Sequence, residues 1–273
     1  MNIPTWRDKL VQEVIRTILE AYYEPQFSDQ SHGFRPRKGC HTALVECSKY
    51  TGTTWIIEGD IKGCFDAIDH EILLRILARN IKDASFLKLI HAMLKAGYME
   101  DWVYHDTYSG TPQGGIVSPI LANIFLNELD QWVESIRPQY QRGKYRARNP
   151  EYHRISERIR LARNSPREDW KERLKRYQAD QRETPSRLAH DPNYRRLGYV
   201  RYSDDFVLLF TGPKEEAKEI KQALSTFLTN ALNLELSEEK TLITHAATQR
   251  AKFLGYEIHY PRNPHRRSTT GKA

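Results

Sequence analysis

The stretch "YVRYSDDFVLLF", residues 199–210, limits what this chain can fold into more than any other. Two adjacent carboxylates, Asp204 and Asp205, interrupt a run of aromatic and β-branched residues that otherwise suits a buried strand. An ionised carboxylate buried without a partner is strongly unfavourable, so the acids must stand on a turn, in solvent or against a cation. A hairpin pairing 199–202 with 206–210 and turning at 203–205 meets that demand. It presents both acids at one end of a sheet.

A third acid belongs with these two. "TTWIIEGD" has the residues of a strand and stops at Asp60. From a neighbouring strand Asp60 reaches the sheet end that carries Asp204 and Asp205. Rigid strand ends and tight hairpins suit a two-metal site, which needs several acids around two cations about 3.5 to 4 Å apart. Magnesium favours oxygen ligands and leaves positions for phosphates, which suits phosphoryl transfer. Taken singly, the turn and the strand-ending acid have equally ordinary structural explanations.

The other elements follow from periodicity and caps. Leu10, Val11, Val14, Ile15, Ile18 and Leu19 recur at helical spacing up to Glu24-Pro25. "SDQSHGFRPRKG" is turn-rich, and "HTALVECSKY" predicts a short helix. Asp69 caps "HEILLRILARN", and "ASFLKLIHAMLKA" predicts another helix. Ser118-Pro119 and Asn149-Pro150 read as helix starts, and "SPRE" at 165–168 as a capping box. A helix over about 214–230 and a final strand "AKFLGYEI" complete the pattern, with an aperiodic tail expected to be disordered. Strands alternating with helices and a hairpin predict an α+β fold with helices on one face of a mostly antiparallel sheet.

Charge is distributed unevenly. The chain carries +7 overall, yet residues 137–201 hold 19 Lys and Arg against 8 Asp and Glu, a net +11, leaving −4 elsewhere. Tyr140, Tyr145, Tyr152, Trp170, Tyr177 and Tyr194 are interleaved with these cations. Guanidinium and aromatic planes stack on bases, so the segment is expected to face nucleic acid; a solvated helical face is the plainer alternative. Three cysteines without a CxxC pair argue for reduced thiols and against a structural zinc. No apolar run is long enough to span a bilayer and no signal peptide core is present, so a cytoplasmic, membrane-free protein is expected.

Five ordered blocks carry a family resemblance. "RYSDDF" resembles the xDD hairpin of reverse transcriptases, "EGDIKGCFDAIDH" their first metal-binding block, and "GTPQGGIVSPILANIFLNELD" their Pro-Gln-Gly block. With "HGFRPRKGCHTAL" and "FLGYEI" in that order, the chain resembles the reverse transcriptases of bacterial group II introns over most of residues 3–260. The resemblance implies a right-hand polymerase in fingers and palm portions that copies an RNA template onto a DNA primer from deoxynucleoside triphosphates with two Mg²⁺ ions. It divides the chain into fingers at 1–52, palm with part of the fingers at 53–136, the basic helical insertion at 137–198, and palm with metal hairpin and primer grip at 199–260. The tail is 261–273.

Carried over residue by residue, Asp60, Asp204 and Asp205 would hold the metals, with the Ile61 carbonyl adding a ligand and Asp205 orienting more than coordinating. Phe65 matches the steric gate that excludes a ribose 2′-hydroxyl. Gln113 and Gly114 match the segment lining the base pair, Arg35 the fingers arginine on the triphosphate, and Lys240 a lysine that protonates the leaving pyrophosphate. Phe253, Leu254, Gly255 and Tyr256 resemble the primer grip, a hairpin that holds the primer end over the metals. The family usually adds an N-terminal block, a helical thumb and an RNA-binding maturase region, which the resemblance does not find here; a fragment is therefore expected, with a homodimer through surfaces those parts would cover. Ser203 stands where the family more often has Ala. The alternative implied function is an intron RNA-binding maturase fragment with little or no polymerisation.

Overall fold

The computed structural model describes residues 5–95, 98–100, 103–105, 109–110, 115–164, 168–188 and 191–261. Helix α1 (Trp6–Tyr23) starts where the Thr5 hydroxyl accepts the Asp8 amide at 3.2 Å and gives way to a 3-10 turn at Glu24-Pro25. Its inward face is Gln12, Ile15, Leu19 and Tyr23, whereas Leu10, Val11, Val14 and Ile18 are exposed. Helix α2 (Cys40–Lys49) leads into strand β1 (Trp55–Gly59), followed by the short α3 (Cys64–Ala67). Helix α4 (His70–Asn80) is capped as expected, Asp69 accepting the Ile72 amide at 3.0 Å. Asp83 caps α5 (Ala84–Leu94) in the same way. Strands β2 (Tyr98–Glu100) and β3 (Val103–His105) form a separate pair.

Helix α6 (Ser118–Ile136) begins one residue earlier than its sequence suggests. Val117 occupies the cap position and Ser118 is already helical, with Pro119 in the first turn. In the basic segment, Asn149 caps α7 (Pro150–Arg163) by accepting the Glu151 amide at 3.0 Å, and α7 packs against α8 (Trp170–Glu183). Residues 165–167 of the expected capping box lie outside the described residues; Asp169 precedes α8 without a side-chain cap.

Strands β4 (Arg196–Tyr202) and β5 (Asp205–Thr211), helix α9 (Lys214–Leu232) and strand β6 (Ile243–His245) complete the main sheet, an antiparallel array in the order β4-β5-β1-β6. Both of its faces are covered, which corrects the expectation of helices on one face. Ile57, Tyr199, Leu208 and Phe210 pack with α1, α4, α6 and α9, while Ile56, Val200, Val207 and Leu209 pack with α2 and with Ala251 and Phe253. A central strand buried on both faces reads as a continuous apolar run, which is why β5 shows no polar alternation. The stretch "AKFLGYEI" is not one strand but a hairpin, β7 (Ala251–Phe253) and β8 (Tyr256–Ile258). Its turn places Leu254 and Gly255 at φ +54° and +77°, a pairing of left-handed residues that suits the twist of a two-residue hairpin.

Candidate active site

The aspartate hairpin turns at residues 203 and 204, because Tyr202 pairs with Asp205. Asp204 is thus a turn residue and Asp205 the first residue of β5. Gly59 pairs with Phe206, so Asp60 leaves β1 at the sheet end where Asp205 enters β5. Beyond β1 the chain stays extended: the Ser237 amide donates to the Asp60 carbonyl at 2.9 Å and the Lys62 amide to the Glu235 carbonyl at 3.0 Å. Ile61 bridges Leu236 between these two bonds. In such a ladder the backbone groups of residue 61 face away from the 235–237 segment, which leaves its carbonyl outside the pairing.

Asp60, Ile61, Phe65, Asp204 and Lys240 line one open pocket of about 900 Å³. Lys240 Nζ lies 3.3 Å from Asp60 Oδ2. Asp205 sits beside the pocket, where Oδ2 accepts the Leu254 amide at 3.4 Å from the β7-β8 turn. Burial raises the Asp205 pKa; the Leu254 amide opposes that, and the charges of Asp204 and Asp60 add to it. The same two acids reinforce burial at Cys64, whose thiol is pushed up to about 12. Burial also raises Cys47 to about 12, and Cys40, Cys47 and Cys64 are all free.

Among the described residues no group of three Asp, Glu, His or Cys side chains forms a ready-made metal cage. Asp60 and Asp204 instead share one open pocket, with Asp205 beside it. The first two supply hard oxygen donors, and the Asp205 carboxyl has its pKa raised first by burial, with the charges of Asp204 and Asp60 adding to it. That donor set fits Mg²⁺ shared with phosphate oxygens better than an all-protein site.

Other expected residues are placed as follows. Phe65 is half-buried at the pocket wall; the turn after it is held by Ser109 donating to the Asp66 carbonyl at 2.8 Å. Gln113 and Gly114 lie outside the described residues. Phe253 is buried, and Tyr256 is exposed on the β7-β8 hairpin. Arg35 does not reach the pocket. Its Nε contacts both Glu24 carboxylate oxygens at 3.1 Å, Nη1 donates to the Ser28 and Ser31 carbonyls, and the guanidinium lies over the Phe27 ring at 5.3 Å. Several cations of the basic segment stack on its own aromatics: Arg196 and Arg146 on Tyr194 at 4.4 and 5.4 Å, Arg187 on Tyr145 at 5.6 Å and Arg158 on Tyr177 at 6.0 Å.

Two buried charged groups near the site escape the motif reading. Glu58, two residues before Asp60, accepts the Lys252 amide at 2.8 Å and the Thr244 hydroxyl, joining β1, β6 and β7. Arg201, counted with the basic segment, is fully buried against Asp130 of α6. Period-2 alternation could have flagged it, since Arg201 shares a strand face with the apolar Leu197 and Tyr199. Asp130 on the buried ridge Leu126, Leu129, Val133 is the matching signal.

A strand-end acid and an aspartate hairpin meet at one end of an antiparallel sheet, and the chain belongs to the reverse transcriptase family. The family model described as "Reverse transcriptase (RNA-dependent DNA polymerase)" matches residues 1–145 and 172–258, with the gap inside the basic segment. Over 268 residues the chain is 47% identical to the group II intron-encoded protein LtrA of Lactococcus lactis subsp. cremoris, covering 96% of this chain and 45% of that protein. It is 39% identical over 266 residues to an "Uncharacterized 91 kDa protein in cob intron" of Schizosaccharomyces pombe, covering 96% of this chain and 32% of the other. The chain therefore spans less than half the length of these relatives. Apo telomerase from Candida tropicalis shares the fold, with a TM-score of 0.52, 12% identity and coverage of 92% of this chain and 39% of that one. No helix among the described residues is long and apolar enough to cross a membrane.

Proposed function

We propose that this chain is the RNA-directed DNA-polymerising core of a group II intron protein, with 1–52 as fingers, 53–136 and 199–260 contributing the palm, and 137–198 as an RNA-facing insertion. The observation that carries the reading is the pocket shared by Asp60, Asp204, Phe65 and Lys240, with Asp205 beside it. Asp60 and Asp204 bind and Asp205 orients. Two divalent cations, when bound, supply activation of a primer 3′-hydroxyl and neutralisation of the triphosphate charge.

The protein's own groups do the rest. Phe65 at the pocket wall occupies the space a ribose 2′-hydroxyl needs, so deoxynucleotides are selected. Lys240, mostly exposed and 3.3 Å from Asp60, holds a proton at Nζ where it can be passed to a departing pyrophosphate. The β7-β8 hairpin, tied to Asp205 through the Leu254 amide, holds the primer end over the acids. Arg35 could serve the triphosphate only after leaving Glu24, so positive charge at the pocket comes from Lys240 and Lys62.

Primer extension on an RNA template, with deoxy- or ribonucleotides, tests this for wild type and Asp204→Ala. Extension by wild type with deoxynucleotides, abolished in Asp204→Ala, is the expected result. No extension at high protein and low salt would transfer the function to RNA binding alone. That second reading draws on the exposed helix α8, which buries no residue, and on the aromatic-stacked arginines around it.

A further inference from the structure

The turn that carries Asp204 is held from beneath by a charge that never meets solvent. Ser203 lies at φ +59°, a left-handed conformation that non-glycine residues adopt at a cost, so something outside the turn must hold it. Arg201 does so: Nη1 donates to the Ser203 carbonyl at 2.7 Å and to Asn123 Oδ1 at 3.1 Å. Its Nε and Nη2 engage Asp130 bidentately at 2.7 and 2.6 Å, and the Tyr199 hydroxyl donates to the same carboxylate at 2.8 Å. Asn123 in turn donates to the Gly33 carbonyl at 2.8 Å, and Gly33 abuts the Ser203 backbone. The Arg201 amide donates to Gln30, and its carbonyl accepts the His32 amide.

Arg201 thus joins helix α6, the 30–33 loop and the aspartate hairpin. Both side chains of the Arg201–Asp130 pair have no exposure at all. A buried ion pair is weak evidence for stability, since well-packed apolar residues of similar volume hold a helix to a sheet equally well or better. What an apolar pair cannot do is donate to the Ser203 carbonyl. Burial alone would lower the Arg201 pKa, but Asp130 more than restores it, so the guanidinium stays charged.

We propose that Arg201, oriented by Asp130, is a positioning residue that fixes the Ser203 carbonyl and thereby the direction of the Asp204 carboxylate. The proposal rests on the reading of the pocket as a metal-dependent polymerase site. Losing such a supporting contact weakens metal affinity or turnover by roughly 10- to 100-fold in comparable sites.

The test is the paired replacement Arg201→Met with Asp130→Leu, and separately Arg201→Lys, in the whole chain. Four quantities are read: thermal midpoint, amide exchange across 202–206 without metal, Mn²⁺ affinity by the resonance of free Mn²⁺, and the split between kcat and primer–template affinity. Expected for the paired variant are a folded chain with a lowered midpoint, because the Ser203 carbonyl, Asn123 Oδ1 and the Tyr199 hydroxyl lose their partners, faster exchange at the turn, and Mn²⁺ affinity and kcat both lower by about 10- to 100-fold. Primer–template affinity stays unchanged. A folded variant with wild-type exchange, Mn²⁺ affinity and kcat overturns the proposal and leaves the polymerase reading intact. If wild type binds no Mn²⁺, both fall together. Should the paired variant not fold, Arg201→Lys decides: the same losses support the proposal, and wild-type values refute it.

Discussion

Replacing Gly33 by alanine should slow nucleotide addition far more than it destabilises the chain. A Cβ built on Gly33 would stand 2.3 Å from the Ser203 nitrogen and 3.0 Å from both Ser203 Cα and Tyr202 C. Ordinary contact begins near 3.4 Å, so one backbone must retreat from the other by about 1 Å. These are main-chain atoms of the hairpin, not the yielding tip of a side chain. Overpacking of this kind costs about 1–3 kcal/mol, partly offset by about 0.4–1 kcal/mol because alanine restricts the unfolded chain. The net loss, at most about 2.6 kcal/mol, corresponds to a midpoint lower by no more than roughly 5–10 °C at about 2–4 °C per kcal/mol. The hairpin bears Asp204 and Asp205, and a misplacement of about 1 Å in a reacting constellation can cost about 100-fold in rate. Single-turnover primer extension at saturating primer–template, alongside a thermal melt, separates the two effects. A Gly33→Ala chain with wild-type turnover would refute the claim that the loop sets the position of the hairpin.

Three further outcomes are expected. Glu58→Ala leaves the Lys252 amide and the Thr244 hydroxyl without their acceptor, and denaturant titration should show a loss of about 1–3 kcal/mol. Asp205 has its pKa raised in the folded chain, so its ionised form opposes folding once pH rises above the ordinary carboxylate value of 3.8. Asp205→Asn should therefore melt higher than wild type at neutral pH without metal, with the difference closing as pH falls below that value; a difference independent of pH would contradict it. Phe65→Ala should admit ribonucleotides, lowering discrimination against them by about 10- to 100-fold in competitive extension, whereas unchanged selectivity would remove its role as a gate.

Much of this was legible in the chain itself. Asp69 and Asn149 cap the helices they precede because short polar side chains satisfy free amides wherever they stand, a rule local enough to read from a few residues. Strand ends meeting on one sheet led to the expectation for Asp60, and the register puts the end of β1 beside the start of β5. Arg201 was harder, because a count of charge assigns every arginine to the surface, and only its strand face and the distant Asp130 reveal otherwise. The β7-β8 turn was legible through the primer-grip resemblance and not through periodicity, which gave one strand. Leucine at a left-handed position is no turn signal, and Leu254 is held there by its fold, its amide reaching Asp205. Arg35 shows the converse, a cation that motif and charge direct to a phosphate and that the loop around it claims for Glu24.

The cysteines carry a practical consequence. With Cys47 and Cys64 buried and both thiols held near 12, a maleimide dye at neutral pH should find its ready target at Cys40, where α2 begins. That position follows directly on the turn-rich loop whose glycine braces the aspartate hairpin. A single fluorophore there, introduced without altering any residue, would report in real time on how that loop moves when template, primer or nucleotide arrives.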